Sequence, residues 1–302
     1  MISSLDARTQ RFLSDLSVIS NRLATDQAQL SSGRRINSVS DAPDEISSLL
    51  AARSELATTQ QIHANFNRIK GETDSAEQAL QQSVQIMDRV ASLGAEGATD
   101  IMDSGQKQII ASELAGLEQQ MVGLAGTATD GRYIFGGDFD QQAPYIYAAG
   151  NTPPYGAYRG SAATRQVLHP AGVRVPISLT AQQIFEDPDP SKNVFGAIES
   201  LRQQLLTGDT QSVSDALSRV RTASVHLNNQ LAFYGTVQNQ VAAALDYASS
   251  HEIRLKTQIA STEEADLASV VVDLNQTQIH QQAALQAESK LQTRPSLFDY
   301  LK

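Results

Sequence analysis

The sequence predicts a mainly α protein, an antiparallel bundle or coiled coil of long helices that carries a small β-rich insert. Apolar residues recur at alternating spacings of three and four near both ends of the chain, which is typical of long helices that pack side by side. The middle of the chain, residues 126–190, holds most of the prolines and many of the aromatic and glycine residues. Aromatic residues make up only 5% of the chain and tryptophan is absent, which suits a bundle better than a large globular core.

The N-terminal region, residues 3–30, is predicted to form one amphipathic helix. Its apolar stripe needs a second helix to cover it, since isolated helices are only marginally stable in water. Gly33 can adopt the left-handed conformation that ends a helix, so Ser31-Ser32-Gly33 is predicted to end this one. The stripe supplies the candidate subunit-interface residues of this end of the chain, which are Leu5, Phe12, Leu16, Ile19, Leu23 and Leu30.

Residues 34–44 are predicted to form an ordered, non-helical link to the next helix. Ser40-Asp41-Ala42-Pro43 has the residue types of a helix start, with a capping side chain before a proline in the first turn. The polar side chains of the link either lie in a solvated turn or fix it by hydrogen bonds, from Arg34, Arg35 or Asn37 to Asp41, Asp44 or a neighbouring subunit. The candidate link residues are Ser31, Gly33, Arg35, Ile36, Asn37, Asp41 and Pro43.

Helical periodicity returns over residues 44–100, and small and acidic residues interrupt it between Gly94 and Gly105. A shorter helix is predicted around residues 109–124, where apolar residues again share one face. The stripes of the long body helices are expected to face the protein's own core, as most amphipathic stripes do.

The region after Gly126 changes character and is predicted to hold short strands joined in hairpins. The predicted strands are residues 133–135, followed by a Gly136-Gly137 turn, and residues 166–168 and 173–177. Residues 185–192 are read as a linker rich in proline and aspartate. A short helix over residues 195–206 and a long one from about 210 to 260 complete the body.

The last helix is predicted to open at Ser261-Thr262-Glu263-Glu264, where a hydroxyl cap precedes acidic residues. Arg294-Pro295 is predicted to end it, and residues 296–301 form a short apolar tail. The candidate interface residues of this end are Leu267, Val271, Leu274 and Leu285. Neither terminal helix can bury its apolar stripe alone, so we expect the two helices to pair. Because short helices are marginal in water, we expect the pair to become ordered mainly on assembly.

The order of these elements is nested, with helices on either side of a central insert. It predicts an N-terminal rod helix and link (1–43), an N-terminal body part (44–128), a β-rich insert (129–192), a C-terminal body part (193–260) and a C-terminal rod helix (261–302). The C-terminal rod helix is expected to pair with residues 1–31.

Composition excludes several classes of function. A net charge of −10 disfavours nucleic acid, which needs a basic face, and no apolar run is long enough to span a membrane. The absence of cysteine excludes disulfides, thiolate catalysis and cysteine-bound metals. No convergent set of acid, base and nucleophile is visible, and the five histidines are scattered. We therefore expect no enzyme activity, cofactor, metal or small-molecule substrate.

The N-terminus lacks a basic region followed by an apolar core, so it does not read as a cleaved secretory signal. The protein is therefore expected to be cytosolic or to leave the cell by a route that cleaves no signal.

The two ends of the chain resemble the bacterial flagellin superfamily. The N-terminal resemblance is carried by Gln29-Leu30-Ser31-Ser32-Gly33-Arg34-Arg35-Ile36-Asn37 and the following Ser40-Asp41-Ala42-Pro43. The C-terminal one is carried by Ala265-Asp266-Leu267-Ala268 through Gln281-Gln282-Ala283-Ala284-Leu285-Gln286-Ala287. Both motifs in order, at the two ends, make the resemblance specific over nearly the whole chain.

Within the superfamily, two segments resemble the subunits of the hook–filament junction. These are Thr129-Asp130-Gly131-Arg132-Tyr133-Ile134-Phe135-Gly136-Gly137 and the ending Ser296-Leu297-Phe298-Asp299-Tyr300-Leu301. Other segments, such as Ile36-Asn37 and Gln281-Gln282-Ala283, are shared with filament flagellins. A self-polymerising filament flagellin therefore stays open as an alternative, and so does a cytosolic coiled-coil scaffold.

The resemblance implies a structural subunit that joins the hook to the filament. It implies export through the flagellar type III channel and an extracellular place at the junction. The implied partners are copies of the chain itself, the hook-side adaptor (hook-associated protein 1), flagellin and an export chaperone. The terminal helices would line the inner tube, and the insert would face outward.

Overall fold

The computed structural model describes residues 7–99, 102–169 and 172–292, and within them the chain is mainly α, as predicted. The described helices are α1 (Ala7–Ser32), α2 (Pro43–Gly97), α3 (Ser104–Ala125), α4 (Ala181–Phe185), α5 (Val194–Thr207), α6 (Thr210–Glu263) and α7 (Leu267–Gln292). The described strands are β1 (Ala128–Thr129), β2 (Arg132–Tyr133), β3 (Gln166–Leu168) and β4 (Arg174–Pro176). None of the helices in these ranges is both long and apolar enough to cross a membrane.

The chain divides into two compact units, Met1–Thr59 with His251–Lys302, and Gln60–Ser250. We call them the terminal unit and the body unit. In the terminal unit α2 and α6 run antiparallel, since Arg53 contacts Glu263 and Glu55 contacts His251. In the body unit the same two helices are also antiparallel, since Gln238 bonds to both Asp74 and Glu77.

The main core of the body unit is built from side chains of α2, α3, α4, α5 and α6 and of the insert. The rings of Phe185 and Phe195 stack at an interplanar angle of 11° with centroids 5.5 Å apart. Phe135 meets Phe185 edge-on at 6.2 Å. The largest buried side chains of this core include Leu80, Met87, Leu114, Met121, Phe135, Phe185, Phe195, Ile198, Leu201 and Tyr234.

Local caps explain where the shorter helices begin. Asp103 accepts from the Gln106 amide at 2.8 Å, while the Gln106 side chain accepts from the Asp103 amide, so the start of α3 is a capping box. Thr180 and Gln183 form the same motif at α4. The Asn193 side chain accepts from the Gly196 amide at α5.

The insert holds less strand than predicted. Its strands have two or three residues each and form two separate antiparallel pairs, β1 with β2 and β3 with β4. The predicted strand at 133–135 is only β2, because Ile134 and Phe135 leave the ladder and enter the core. Helix α4 was not predicted, although its capping box is visible in the sequence.

The Gly136-Gly137 turn is present as predicted. Gly137 has φ +65°, and a Cβ there would lie 2.4 Å from the Ser161 carbonyl oxygen. Only glycine fits both the conformation and the close approach of the two backbone segments.

Two predicted helix boundaries are wrong. The helix of residues 44–100 was expected to be interrupted from Gly94, but α2 continues to Gly97. The last helix was expected to open at Ser261, but α6 continues to Glu263 and α7 begins at Leu267. Asp266 is the cap instead, since its carboxylate accepts from the amides of Ala268 at 3.0 Å and Ser269 at 3.3 Å.

The N-terminal boundaries agree with expectation. Gly33 has φ +70° and donates its amide to the Gln29 carbonyl at 2.8 Å, so it ends α1. Pro43 begins α2, with Asp44 and Glu45 in the first turn. The predicted end at Arg294-Pro295, the apolar tail at 296–301 and Leu5 lie outside the described residues.

Candidate functional site

The candidate site is the terminal helix pair, α1 and α7, together with the two segments that connect it to α2 and α6. The pair is antiparallel, because the end of α1 and the start of α7 lie side by side. On α7, Val270 and Thr277 are buried and Leu274 is half-buried. Four residues of the predicted stripe on α1 are half-buried, namely Phe12, Leu16, Ile19 and Leu23, as are Thr9 and Gln29.

Polar side chains contact each other across this helix pair. Asp26 of α1 is only 8% exposed and accepts a hydrogen bond from the Thr277 hydroxyl at 3.3 Å. Arg22 reaches Asp273 at 4.0 Å on the exposed side. The buried contact places a carboxylate in an otherwise apolar interface, so an apolar helix in place of α7 would leave Asp26 without its hydroxyl donor.

The other predicted interface residues in the described ranges are exposed. Leu30 is 40% exposed, Leu267 47%, Val271 41% and Leu285 50%. Further large apolar residues, which the predicted stripes do not include, are exposed on the described helix pair: Leu13, Val18, Val272 and Ile279. A plot of α7 at 100° per residue would have found the last two.

The exposed apolar residues of α7 occupy more than one face of the helix. At 100° per residue, Leu267, Val271 and Leu285 flank the face that packs on α1, whereas Val272 and Ile279 lie on the opposite side. A helix that is apolar on several faces is usually buried on several faces. Packing on α1 alone therefore leaves α7 with surface suited to further helices.

Two backbone segments connect the helix pair to the long helices, residues 33–36 and 263–266, and we call them the connector pair. The Arg35 amide donates to the Glu263 carbonyl at 2.7 Å, and the Ala265 amide donates to the Gly33 carbonyl at 3.0 Å. Arg34 and Glu264 form an antiparallel bridge between these bonds. The connectors therefore hold each other as a minimal two-stranded ladder.

Glu263 is the main side-chain anchor of the connector pair. It is 5% exposed, and its two carboxylate oxygens face Arg34 Nε at 2.8 Å and Arg53 Nη2 at 2.5 Å. Arg35 donates to the Thr262 carbonyl at 2.7 Å and also pairs with Glu45. The buried carboxylate of Glu263 thus connects the end of α6 to Arg34, which precedes α2, and to Arg53, which lies on α2.

The expected hydrogen bonds within the link are present only in part. Asp41 accepts from the amides of Asn37 at 2.8 Å and Ser38 at 2.7 Å, and from the Ser38 hydroxyl at 2.7 Å. The expectation that Arg34 and Arg35 bond to Asp41 or Asp44 is wrong, since both contact the end of α6. Sequence reasoning could not find this, because Glu263 read as part of a helix start.

The hydrogen bonds to Asp41 have an electrostatic consequence. The hydroxyl and amide of Ser38 and the amide of Asn37 hold the pKa of Asp41 below its ordinary value. Ile36, next to this turn, is buried against Ala42 and Leu49. The link is therefore ordered by a small apolar cluster on one side and a carboxylate on the other.

This arrangement offers surface on which further helices can pack. In the described ranges, no three histidine, aspartate or glutamate side chains converge to hold a metal ion.

The sequence as a whole matches the flagellin profiles at both ends. Residues 5–140 match the bacterial flagellin N-terminal helical region, and residues 217–301 match the C-terminal helical region. The chain belongs to the bacterial flagellin superfamily. The N-terminal match contains α1, the link and α2, while the C-terminal match contains α7, so the candidate site lies within the regions that define the superfamily.

Relatives in the superfamily include one that matches almost end to end. Flagellar hook-associated protein 3 of Salmonella typhimurium is 25% identical over 284 residues, covering 87% of this chain and 86% of that protein. Flagellin A of Helicobacter pylori is 26% identical over 151 residues, covering 50% of this chain but only 29% of that protein.

Solved structures share the fold. A proposed flagellar hook-associated protein of Vibrio parahaemolyticus aligns with a TM-score of 0.65 at 18% identity, covering 74% of this chain and 100% of that one. FlgL of Xanthomonas campestris aligns with a TM-score of 0.60 at 19% identity, covering 69% of this chain and 99% of that one.

Proposed function

We propose that this flagellin-superfamily protein is a structural subunit of the bacterial flagellum that joins the hook to the flagellin filament. The observation that carries the proposal is the match to hook-associated protein 3, which extends over 87% of this chain and 86% of the relative. The match to Flagellin A stops at half of this chain. The turn motif Thr129–Gly137 and the ending at 296–301 support the same subclass.

Assembly, in this proposal, proceeds through the terminal helix pair. Its exposed apolar residues have no cover within the described chain and bury against neighbouring subunits. Full burial of a side chain of this size is worth about 1.5–3 kcal/mol. Several such residues per subunit offset only part of the ordering cost of the terminal helices, which is about 1–2 kcal/mol per backbone residue, so the packing of α1 on α7 and contacts supplied by neighbouring subunits contribute the rest.

The candidate interface residues divide into two roles. Phe12, Leu16, Ile19, Leu23 and Leu274, half-buried in the isolated chain, hold α1 and α7 together. Leu267, Val271 and Leu285, exposed on α7, contact neighbouring subunits. The connector pair fixes the direction in which the helix pair leaves α2 and α6, so that each subunit presents the same surface.

The partners follow from the junction role. They are copies of the chain itself, the hook-side adaptor (hook-associated protein 1) and flagellin, with a chaperone before export. The protein is exported through the flagellar type III channel and lies outside the cell at the hook–filament junction. It acts without catalysis. The five-part division into rod, body and insert, at 1–43, 44–128, 129–192, 193–260 and 261–302, belongs to the same proposal.

The second candidate is a filament flagellin, which the partial match to Flagellin A favours. Such a subunit would use the same helix pair but would polymerise on itself. The two candidates differ in what the purified protein builds, since a flagellin grows long filaments and a junction subunit adds only at the hook end.

An in-frame deletion of the gene tests the proposal, with electron microscopy of the cells and analysis of the medium. We expect hooks without filaments and flagellin released as monomer. Short or thin filaments, or loss of one filament segment, would instead support the flagellin alternative. Normal flagella in a strain without a second copy of the gene would overturn both and favour the cytosolic scaffold. Re-expression of the wild-type gene is the control.

A further inference from the structure

Glu118 of α3 is fully buried in the core of the body unit. Neither of its carboxyl oxygens has a hydrogen-bond partner in the part of the chain that the structure describes. An ionised carboxylate in such a place loses its hydration and gains nothing in return. The surroundings therefore strongly favour the neutral, protonated form of this side chain.

The charged groups that act on Glu118 lie on α5, which packs against α3. Arg202 directs both arms of its guanidinium to Glu199, with Nε to Oε2 and Nη2 to Oε1 both at 2.7 Å. Gln203 also donates to Glu199 at 2.7 Å. Since Arg202 is engaged with Glu199, the charge that Glu118 would carry has no cation of its own.

The other elements around α3 offer titratable groups but no donor to Glu118. The insert contributes Tyr155 and Tyr147, and burial, with the charges of Glu186, Glu118 and Glu199, raises the pKa of Tyr155 to about 12. From α2, Arg89 pairs with the exposed Glu113 of α3 at 2.7 Å. From α6, the ring of His226 lies 3.1 Å from the Gln183 carbonyl.

A tyrosine-rich segment of the insert, residues 145–158, packs on these helices. The Tyr147 hydroxyl reaches the Ala115 carbonyl of α3 at 3.5 Å, one turn before Glu118. The ring of Tyr155 lies 4.8 Å from the ring of Phe195 on α5. A change in the α3–α5 contact would therefore also disturb this segment.

We propose that Glu118 is a proton-dependent latch of the body unit: with its proton it lets α3 pack on α5, and without it a second negative charge beside Glu199 loosens both this contact and the tyrosine-rich segment. The latch is independent of the assembly role proposed above. Burial, followed by the charge of Glu199 and against the opposing charge of Arg202, raises the pKa of Glu118 from 4.5 to about 8.

The sign of the effect follows from proton linkage. The folded chain keeps the Glu118 proton up to about pH 8, whereas the unfolded chain releases it near pH 4.5. Folding therefore takes up a proton between these values, and stability falls as the pH rises through this window. Below pH 4.5 the protonated Glu118 makes its full contribution to stability, and above about pH 8 stability no longer falls with pH on account of this group.

Thermal and urea unfolding of the full chain from pH 5 to pH 9 tests the latch, with Glu118→Gln as the variant. Glu113→Gln, an exposed acid on the same helix, is the matched control. Between pH 5 and pH 8 we expect the unfolding equilibrium constant of the wild type to rise roughly 400-fold more than that of Glu118→Gln. The control should follow the wild type. Glu118→Gln can be more or less stable than the wild type at every pH by a constant amount without affecting the test. What is tested is how the difference in stability between the two proteins changes with pH.

Two spectroscopic readouts keep the test independent of how well the variant folds. Infrared spectroscopy of the wild type should show a protonated carboxyl band at pH 6 that disappears above pH 8 and is missing from Glu118→Gln. The tyrosine signals in the near-ultraviolet circular dichroism spectrum of the wild type should become weaker as the pH rises from 6 to above 8. Parallel stability curves for the wild type and Glu118→Gln, or no protonated carboxyl at pH 6, would overturn the proposal.

Discussion

The Arg35 amide donates to the Glu263 carbonyl at 2.7 Å, which joins the end of the first helix to the end of the sixth. The same two connectors exchange a second bond, from Ala265 to Gly33 at 3.0 Å. The helix pair at the two chain ends is thus held to α2 and α6 by backbone pairing as well as by side chains. Its direction depends on a few identifiable residues, and these are the first to test.

Glu263→Gln should loosen the connector pair and leave the body unit unchanged. The substitution removes the charge that faces Arg34 and Arg53, but both arginines are half-exposed and can turn to water. The expected loss for the terminal unit is therefore about 1–2 kcal/mol, less than for a fully buried pair. Hydrogen exchange of the amides at 35 and 265 measures it.

Glu264→Gln is the matched control, since Glu264 is the exposed neighbour. A double-mutant cycle with Arg53→Met separates the Arg53 contact from the rest. Equal exchange rates in the wild type and Glu263→Gln would show that backbone pairing alone holds the connectors.

Gly33→Ala should destabilise the end of α1 by about 1–2 kcal/mol, because Gly33 has φ +70°. A Cβ at this position meets nothing within 4 Å, so the cost is conformational and not steric. Gly33→Asn should cost less, because asparagine tolerates the left-handed region. Circular dichroism and protease digestion at the connector report the change.

Gly116→Ala provides the opposite control. Gly116 lies within α3, and a Cβ there also meets nothing within 4 Å. The substitution should raise the free energy of unfolding of the body unit by about 0.5–1 kcal/mol. If both glycine variants shifted stability in the same direction, the conformational argument for Gly33 would be wrong.

The periodicity of the sequence predicted most of the helices but not the connectors. The long helices have apolar stripes that any bundle must cover, and Gly33 and Pro43 carry local signals that the structure confirms. The start of α7 was predicted wrongly, because Ser261-Thr262-Glu263-Glu264 has the residue types of a capping box. The role of Glu263 in this segment depends on Arg34 and Arg53, which are remote in sequence, and no local sequence pattern indicates such a contact.

The same limit applies to the body unit and to the helix pair. Glu118 reads as a polar position of α3, and its burial depends on how α5 and the insert close over it. On α7 the sequence analysis selected one apolar edge, whereas Val272 and Ile279 lie exposed on another face. Periodicity shows that a face needs cover but not which helix provides it.

Acid should release the link turn through Asp41. Its pKa is held below the ordinary 3.8 by the hydroxyl and amide of Ser38 and the amide of Asn37. A lowered pKa in the folded state means that the stabilisation is present above the unfolded pKa and is lost as the pH falls through the folded one. We therefore expect the amides of Asn37 and Ser38 to lose protection only below about pH 4.

Asp41→Asn should abolish this pH dependence and weaken the turn at neutral pH, because the amide group cannot accept as many hydrogen bonds. Asp44→Asn, in the first turn of α2, is the control and should keep the acid transition. Proton-exchange measurements by NMR resolve both amides. An acid transition that persists in Asp41→Asn would assign it to another carboxyl.

Leu274→Asp and Val271→Asp should both block assembly, but for different reasons. Leu274 is half-buried between α7 and α1, so a charge there breaks the helix pair within one chain. Leu16→Asp should do the same from the α1 side. Val271 is 41% exposed, so Val271→Asp should leave the pair intact in the monomer and act only where a neighbouring subunit covers it.

Hydrogen exchange of α1 in the dilute monomer separates these effects, and complementation of a deletion strain on soft agar measures assembly. The helix pair of the wild type is expected to be only weakly protected before assembly; Leu16→Asp and Leu274→Asp should remove this weak protection and Val271→Asp should keep it, with the body unit folded in all three. Gln276→Asp, on another exposed side of α7, is the control. Full motility with Val271→Asp would mean that this edge of α7 contacts no neighbour, and the intersubunit surface would then have to be sought at Val272 and Ile279.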